Sequence, residues 1–154
     1  MIRVCVVDDQ TLVRQGLEQL LALAEDVEVV AEAADGDAAL AAIAEHAPDV
    51  VLLDLQMPGR DGIATLRELA TWEQSPPVLV LTTFDDDELV LQALRAGARG
   101  YLLKDVTLEQ LVAAVRALAT GGRLVQPAVT ERLLHALTRD TPAGGDAPLV
   151  RTNR

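Results

Sequence analysis

The sequence predicts an α/β domain: a parallel sheet with helices on both faces. Short runs rich in Val, Leu and Ile recur at residues 2–7, 27–33, 50–53, 78–81 and 100–103, and longer stretches with helical apolar spacing lie between them. Five strand-then-helix units of this kind bury their apolar faces when the strands lie parallel in one sheet and the helices cover both sides. Half of the 154 residues are apolar but only 2% are aromatic. The core must therefore be aliphatic, which suits strands interleaved with helices better than an aromatic-rich sandwich.

The first run holds the single cysteine, Cys5, which reads as a thiol packed inside a strand. Val13, Leu17, Leu20, Leu21 and Ala24 mark the helix after it. The second run carries Glu28 and Glu32, charges that suit an edge strand, and an Ala-rich helix follows over 37–45. Runs three and four, and run one from Val4, are continuously apolar, as central strands buried on both faces are. Ile63, Leu66, Leu69 and Ala70 mark the third helix, and Leu89, Val90, Ala93 and Leu94 the fourth. Asp85 opens that fourth helix as its cap, with Asp86, Asp87 and Glu88 where the helix dipole favours negative charge.

Leu108, Leu111, Val112, Val115 and Leu118 mark the fifth helix, where Thr107 and Gln110 have the spacing of a capping box. Gly97 and Gly121 are placed to end helices four and five. Beyond Gly122, Pro127 can start a short sixth helix with Val129, Leu133 and Leu137 on one side. From Arg139 onward periodicity stops and the composition is that of a linker. The expected organisation is a domain over 1–121, a linker with a short helix over 122–138, and a flexible tail over 139–154.

The formal charge is −11, and residues 139–154 hold three Arg and two Asp, so −12 falls on residues 1–138. So acidic a surface repels nucleic-acid phosphates, whose binding needs clustered Lys and Arg. Excess acid does suit a divalent cation. A lone cysteine excludes a disulfide within the chain and fits a reducing compartment. No run approaches the roughly 18 apolar residues of a membrane span, so a cytoplasmic protein is expected.

The strand ends carry the chemistry. Run one ends in Asp8-Asp9, run three in Asp54, run four in Thr82-Thr83 and run five in Lys104. In an open α/β sheet, ligands bind beyond the carboxyl ends of the strands, where the strand order reverses. With order 2-1-3-4-5 that crevice lies between strands one and three and gathers Asp8, Asp9 and Asp54, with Thr82 and Lys104 on adjoining strands. Three such carboxylates repel unless a cation or a proton intervenes. Mg²⁺ meets the need: it is hard, takes one or two carboxylates, keeps waters and accepts a phosphate oxygen. A carboxylate can also act as nucleophile and hold an acyl phosphate, while Lys104 and Thr82 neutralise and hydrogen-bond the phosphoryl oxygens.

Residues 6–9 (Val-Val-Asp-Asp), 53–62 (Leu-Asp-Leu-Gln-Met-Pro-Gly-Arg-Asp-Gly), 81–83 (Leu-Thr-Thr) and 100–105 (Gly-Tyr-Leu-Leu-Lys-Asp) together resemble the receiver domains of two-component response regulators, over about residues 1–121. The stretch 9–17 and the Leu-Leu-Lys-Asp ending resemble the LuxR/NarL-type subfamily, whose members usually add a C-terminal helix-turn-helix. The resemblance implies a flavodoxin-like, five-stranded receiver fold of order 2-1-3-4-5. It implies phosphorylation of Asp54 by a sensor histidine kinase or a small acyl phosphate. Mg²⁺ would be held by Asp8, Asp9, Asp54 and the backbone carbonyl of Gln56. Lys104 would pair with the phosphoryl group, with Thr82 and Tyr101 as switch residues that reshape the surface of helix four, strand five and helix five. A homodimer on phosphorylation, and DNA contact only through an output domain outside this chain, would follow. The chain departs from many receivers in having Asp105, not proline, after Lys104, which places a cis peptide there in question. Gln56 and Phe84 flank the site and would tune the acyl-phosphate lifetime.

Plainer readings compete residue by residue. Asp8 and Asp9 could merely cap helix one, Asp54 could be a turn residue before Pro58-Gly59, and Lys104 a solvated surface lysine. Thr82 could be an idle strand-end hydroxyl and Tyr101 a packing residue. His46 and His135 read as surface residues and Trp72 as packing. Among whole functions, a haloacid-dehalogenase-like phosphatase would place its nucleophile in an Asp-x-Asp motif after strand one, where this chain has adjacent aspartates. A flavodoxin-like cofactor binder would need a Ser/Thr/Gly-rich loop there. A stand-alone receiver differs from a piece of a DNA-binding regulator only in scope, and the linker-like residues 122–154 favour the latter. The expected function is that of a phosphoacceptor signalling domain, not an enzyme beyond slow self-dephosphorylation.

Overall fold

The computed structural model describes residues 1–55, 61–82, 87–125, 130, 131 and 134. In chain order the elements are β1 (Ile2–Val7), α1 (Thr11–Leu21), β2 (Val27–Ala33), α2 (Gly36–His46), β3 (Val50–Leu53), α3 (Gly62–Leu69), β4 (Val78–Thr82), α4 (Asp87–Arg95), β5 (Gly100–Leu103), α5 (Leu108–Ala119) and β6 (Leu124–Val125). The strands form one sheet in the order β2-β1-β3-β4-β5-β6. Each neighbouring pair is parallel. The five expected strands and their order are borne out.

Side-chain alternation decides which helices cover which face. Cys5 and Val7 of β1, Val51 and Leu53 of β3 and Val80 of β4 point to one side, where Ile43, Ile63, Leu66, Leu69, Val90 and Ala93 of α2, α3 and α4 meet them. Val4, Val6, Leu52, Leu79 and Leu81 point to the other, against Leu21 of α1 and Leu111, Val115 and Leu118 of α5. Both cores are almost wholly aliphatic. Burial, with the nearby Glu32 carboxylate adding to it, pushes the Cys5 thiol up to about 12, as expected of a packed cysteine. Trp72 is half-buried against the α2–α3 side, also a packing residue.

Glu28 and Glu32 of β2 are exposed at the sheet edge, as expected. The β1–β2 register shifts between Val4 and Cys5, so the pairing passes over Val30 as in a bulge. The capping box of α5 is present, with the Thr107 side chain accepting from Gln110 N–H at 3.1 Å and Gln110 Oε1 accepting from Thr107 N–H at 2.9 Å. A cap of this kind is worth about 1 kcal/mol. Gly97 and Gly121 adopt φ of 113° and 89° just past α4 and α5, the left-handed turn that glycine makes without strain.

Three details differ from the sequence-based expectation. α1 ends at Leu21, so Ala24 lies in the following turn, and Leu20 is exposed. A sixth strand pairs Leu124 with Gly100 and Val125 with Tyr101, so the sheet runs past Gly121. Two residues are too few to show any alternation, which is why periodicity did not reveal it. Thr130, Glu131 and Leu134 are helical, but Pro127, Val129, Leu133, His135, Leu137 and the tail 139–154 lie outside the described residues, as do Asp85 and Asp86. Among the described residues no peptide is cis and no helix is long and apolar enough to cross a membrane.

A two-pronged ion pair ties α5 to the turn before β2: Arg116 Nε and Nη2 donate to Asp26 Oδ2 and Oδ1 at 2.7 and 2.9 Å. This hydrogen bonding holds the Asp26 carboxyl below its ordinary range. A carboxyl lowered in the folded state contributes stability above its unfolded value, about 3.9, and loses it as pH falls through the folded value. Arg116→Met should therefore lower the urea midpoint at neutral pH by a small margin, since the pair is exposed, and parent and variant should converge below about pH 4. Urea titrations at several pH values measure this.

Candidate functional site

Four strand ends deliver the expected residues to one rim. Asp8 follows β1, Asp54 follows β3 and Thr82 closes β4, while Lys104 follows β5. The backbone brings them together: Asp54 N–H donates to Val7 O at 3.0 Å, and Lys104 N–H to Thr82 O at 2.9 Å. Asp8 and Asp54 are buried, at 1% and 7% exposure, whereas Asp9 is exposed. One ligand oxygen from each of Asp8, Asp9 and Asp54 lies within 4.8 Å of the others, a grouping that could hold a metal ion. Lys104 Nζ donates to Asp8 Oδ2 at 2.8 Å and stands 3.7 Å from Asp54 Oδ2. Carboxylates alone in so tight a space would repel by roughly 4 kcal/mol per pair at about 4 Å in an effective dielectric of about 20. The ammonium offsets part of this, and the all-oxygen donor set fits a hard divalent cation for the rest.

Asp8 does not cap α1. The N-cap is Gln10, which makes no side-chain cap bond, and Gln10 N–H instead donates to Asp8 Oδ1 at 2.9 Å. Thr82 is fully buried, and its Oγ1 has no hydrogen-bond partner among the described residues. Leaving such a hydroxyl unmatched costs about 1–3 kcal/mol, so its position is one that a ligand oxygen would relieve. Tyr101 is also fully buried, on β5 opposite Val80, while Leu103 lies opposite Thr82; alternation sends all four side chains to the α2–α4 face. Lys104 is not a solvated surface lysine: its side chain is 19% exposed. His46 lies at the last turn of α2, partly exposed and near Glu45, away from the rim. Gln56, Thr83 and Phe84 lie outside the described residues.

A doubly wound α/β sheet with an acidic, lysine-bearing rim at its switch point defines the class. Residues 4–116 match the family described as the response regulator receiver domain, and the chain belongs to that family. It is 37% identical over 153 residues to the transcriptional regulatory protein LnrK of Bacillus subtilis (strain 168), covering 99% of this chain and 70% of that one. It is 44% identical over 128 residues to the probable transcriptional regulatory protein NarL of Mycobacterium tuberculosis (strain CDC 1551 / Oshkosh), covering 83% of this chain and 59% of that one. Both relatives are longer than this chain. Among solved structures, a two-component response regulator of the LuxR family from Aurantimonas sp. SI85-9A1 superposes with a TM-score of 0.81 at 33% identity, covering 88% of this chain and 97% of that one. The LuxR/NarL-type resemblance is thus borne out.

Two residues that shape the rim carry no chemical signal in the sequence. Arg14 of α1 donates from Nη1 to the Asp8 carbonyl at 2.6 Å and from Nε to Glu32 Oε1 at 2.8 Å. The second bond holds the Glu32 carboxyl below its ordinary range. Gly62, the first residue of α3, packs against the residue after β3. A Cβ there would stand 2.5 Å from Leu55 Cα and 2.8 Å from Asp54 O. Gly62 N–H also donates to Leu55 O at 3.1 Å, and Asp61 caps the helix by accepting from Ala64 N–H at 2.8 Å. Backbone stands on both sides of this contact, so Gly62→Ala should cost about 1–3 kcal/mol by overpacking, read as a lowered urea midpoint at unchanged slope.

Proposed function

We propose that this chain is the phosphoacceptor of a two-component pathway, taking a phosphoryl group from a sensor histidine kinase onto Asp54 in a Mg²⁺-dependent reaction. The observation that carries this is the clustering of the Asp54 carboxylate with Asp8, Asp9 and the Lys104 ammonium, which stands 3.7 Å from Asp54 Oδ2. In the proposed step an Asp54 carboxylate oxygen bonds to phosphorus as the bond to the donor breaks, and the donor leaves with that electron pair. The product is an acyl phosphate on Asp54. Asp8, Asp9, Asp54 and the Gln56 carbonyl would hold Mg²⁺, which when bound supplies positive charge to the phosphoryl oxygens. Lys104 neutralises a further oxygen, and the Thr82 hydroxyl donates to another.

Thr82 and Tyr101 then act as the switch. Their shared face of the sheet, toward α2–α4, on the neighbouring strands β4 and β5, supports that reading. The reader of this change is a second copy of the chain, in a homodimer formed on phosphorylation. DNA contact belongs to an output domain of a longer protein, since this chain carries a charge of −11 and spans 59% to 70% of the two transcriptional regulators above. The division into a receiver over 1–121, a linker over 122–138 and a tail over 139–154 follows the same reading, as does a cytoplasmic location.

Incubation with acetyl phosphate and Mg²⁺, followed by intact-mass measurement, should show one added phosphoryl group that is labile to hydroxylamine. Asp54→Asn should abolish it, and retained hydroxylamine-labile labelling in that variant would reject the assignment. Lys104→Ala should still permit some phosphorylation but lose the phosphorylation-dependent dimer in size-exclusion chromatography. A Lys104→Ala chain that dimerised like the parent would remove Lys104 from the coupling.

A further inference from the structure

The turn that presents Asp8 and Asp9 lacks the usual fastening of a strand-to-helix junction. Gln10 makes no side-chain cap bond, and no acidic residue lies in the first turn of α1. The turn is held by Asp8 itself, each of whose hydrogen-bonding groups is occupied. Its N–H donates to Ala33 O at 3.1 Å, its Oδ1 accepts from Gln10 N–H at 2.9 Å, and its Oδ2 accepts from Lys104 at 2.8 Å. The fourth group, the Asp8 carbonyl, accepts from Arg14 Nη1 at 2.6 Å. The same guanidinium donates from Nε to Glu32 on the edge strand at 2.8 Å and from Nη2 to Thr11 Oγ1 at 3.3 Å, and its side chain is 13% exposed.

We infer that Arg14 is a positioning residue for the divalent-cation site: its planar fork spans α1, the carbonyl of Asp8 and the edge strand β2, and so aims the Asp8 and Asp9 carboxylates at Asp54. The inference rests on the Mg²⁺ reading of the rim. The guanidinium suits the task because it presents five donors in a rigid plane, which a lysine ammonium cannot reproduce. Glu32 has a matching task. It balances a positive charge that would otherwise oppose a cation one residue away, so the fork fixes geometry without adding net charge beside the metal. Arg14 touches neither the cation nor the phosphoryl group; it acts through Asp8 alone.

The test is Mn²⁺ binding to the full chain, followed by electron paramagnetic resonance, which reads affinity without reference to phosphorylation. Arg14→Met should raise the Kd about tenfold, and Arg14→Lys, which keeps the charge but not the fork, should raise it at least threefold. Arg116→Met serves as control: it cuts another side-chain fork, Arg116–Asp26, away from the rim, and should leave the Kd within twofold while lowering stability. A Kd for Arg14→Lys equal to that of the parent overturns the inference, as does an equal rise in Arg116→Met, which would mean that any loss of stability loosens the site. Should Arg14→Met fail to fold, Arg14→Lys alone decides. Absence of saturable Mn²⁺ binding in the parent chain itself would instead sink the metal reading on which this one stands.

Discussion

Everything at the rim of this protein answers to the repulsion among three carboxylates that the fold forces together. Asp8 and Asp54 are buried and Asp9 stands beside them, with ligand oxygens inside 4.8 Å. Among the described residues one side-chain cation, Lys104, reaches two of the three at 2.8 and 3.7 Å. One ammonium does not neutralise three acids, so the rim keeps a surplus of negative charge. A repulsion of roughly 4 kcal/mol per close pair outweighs the roughly 1 kcal/mol of a typical hydrogen bond. The arrangement therefore persists only because the rest of the fold holds it, and it is energetically primed to welcome positive charge.

What holds it is a stiff platform. The three central strands are buried on both faces, and their aliphatic side chains lock two cores on opposite sides of the sheet. Backbone bonds then run from strand end to strand end, Asp54 to Val7 and Lys104 to Thr82, so Asp54 and Lys104 are registered by the sheet ladder. Gly62 completes the platform by letting the start of α3 press against the backbone after β3.

Much of this was legible in the residues. The period of the apolar pattern marked five strands and five helices, because each run is long enough to show it, and Glu28 and Glu32 marked the edge. The capping box at Thr107 and the glycine stops at Gly97 and Gly121 were readable because local chemistry alone sets them. Asp8, Asp9, Asp54, Thr82 and Lys104 could be gathered from the rule that ligands sit beyond strand ends. What escaped was non-local. Leu124–Val125 is a strand only because β5 offers an open edge. Leu20 fits the helical spacing yet is exposed, while its neighbour Leu21 takes the core position. The tasks of Arg14 and Gly62 exist only once separate segments approach, and neither residue type announces them.

The short β6 has a mechanical consequence. Leu124 and Val125 are laid directly alongside Gly100 and Tyr101, so the segment after α5 is stitched to the strand that bears the buried aromatic. A seam two residues long is a weaker fastening than the four-residue pairing of β5 with β4. A displacement of β5 would thus pass straight to Leu124 and Val125.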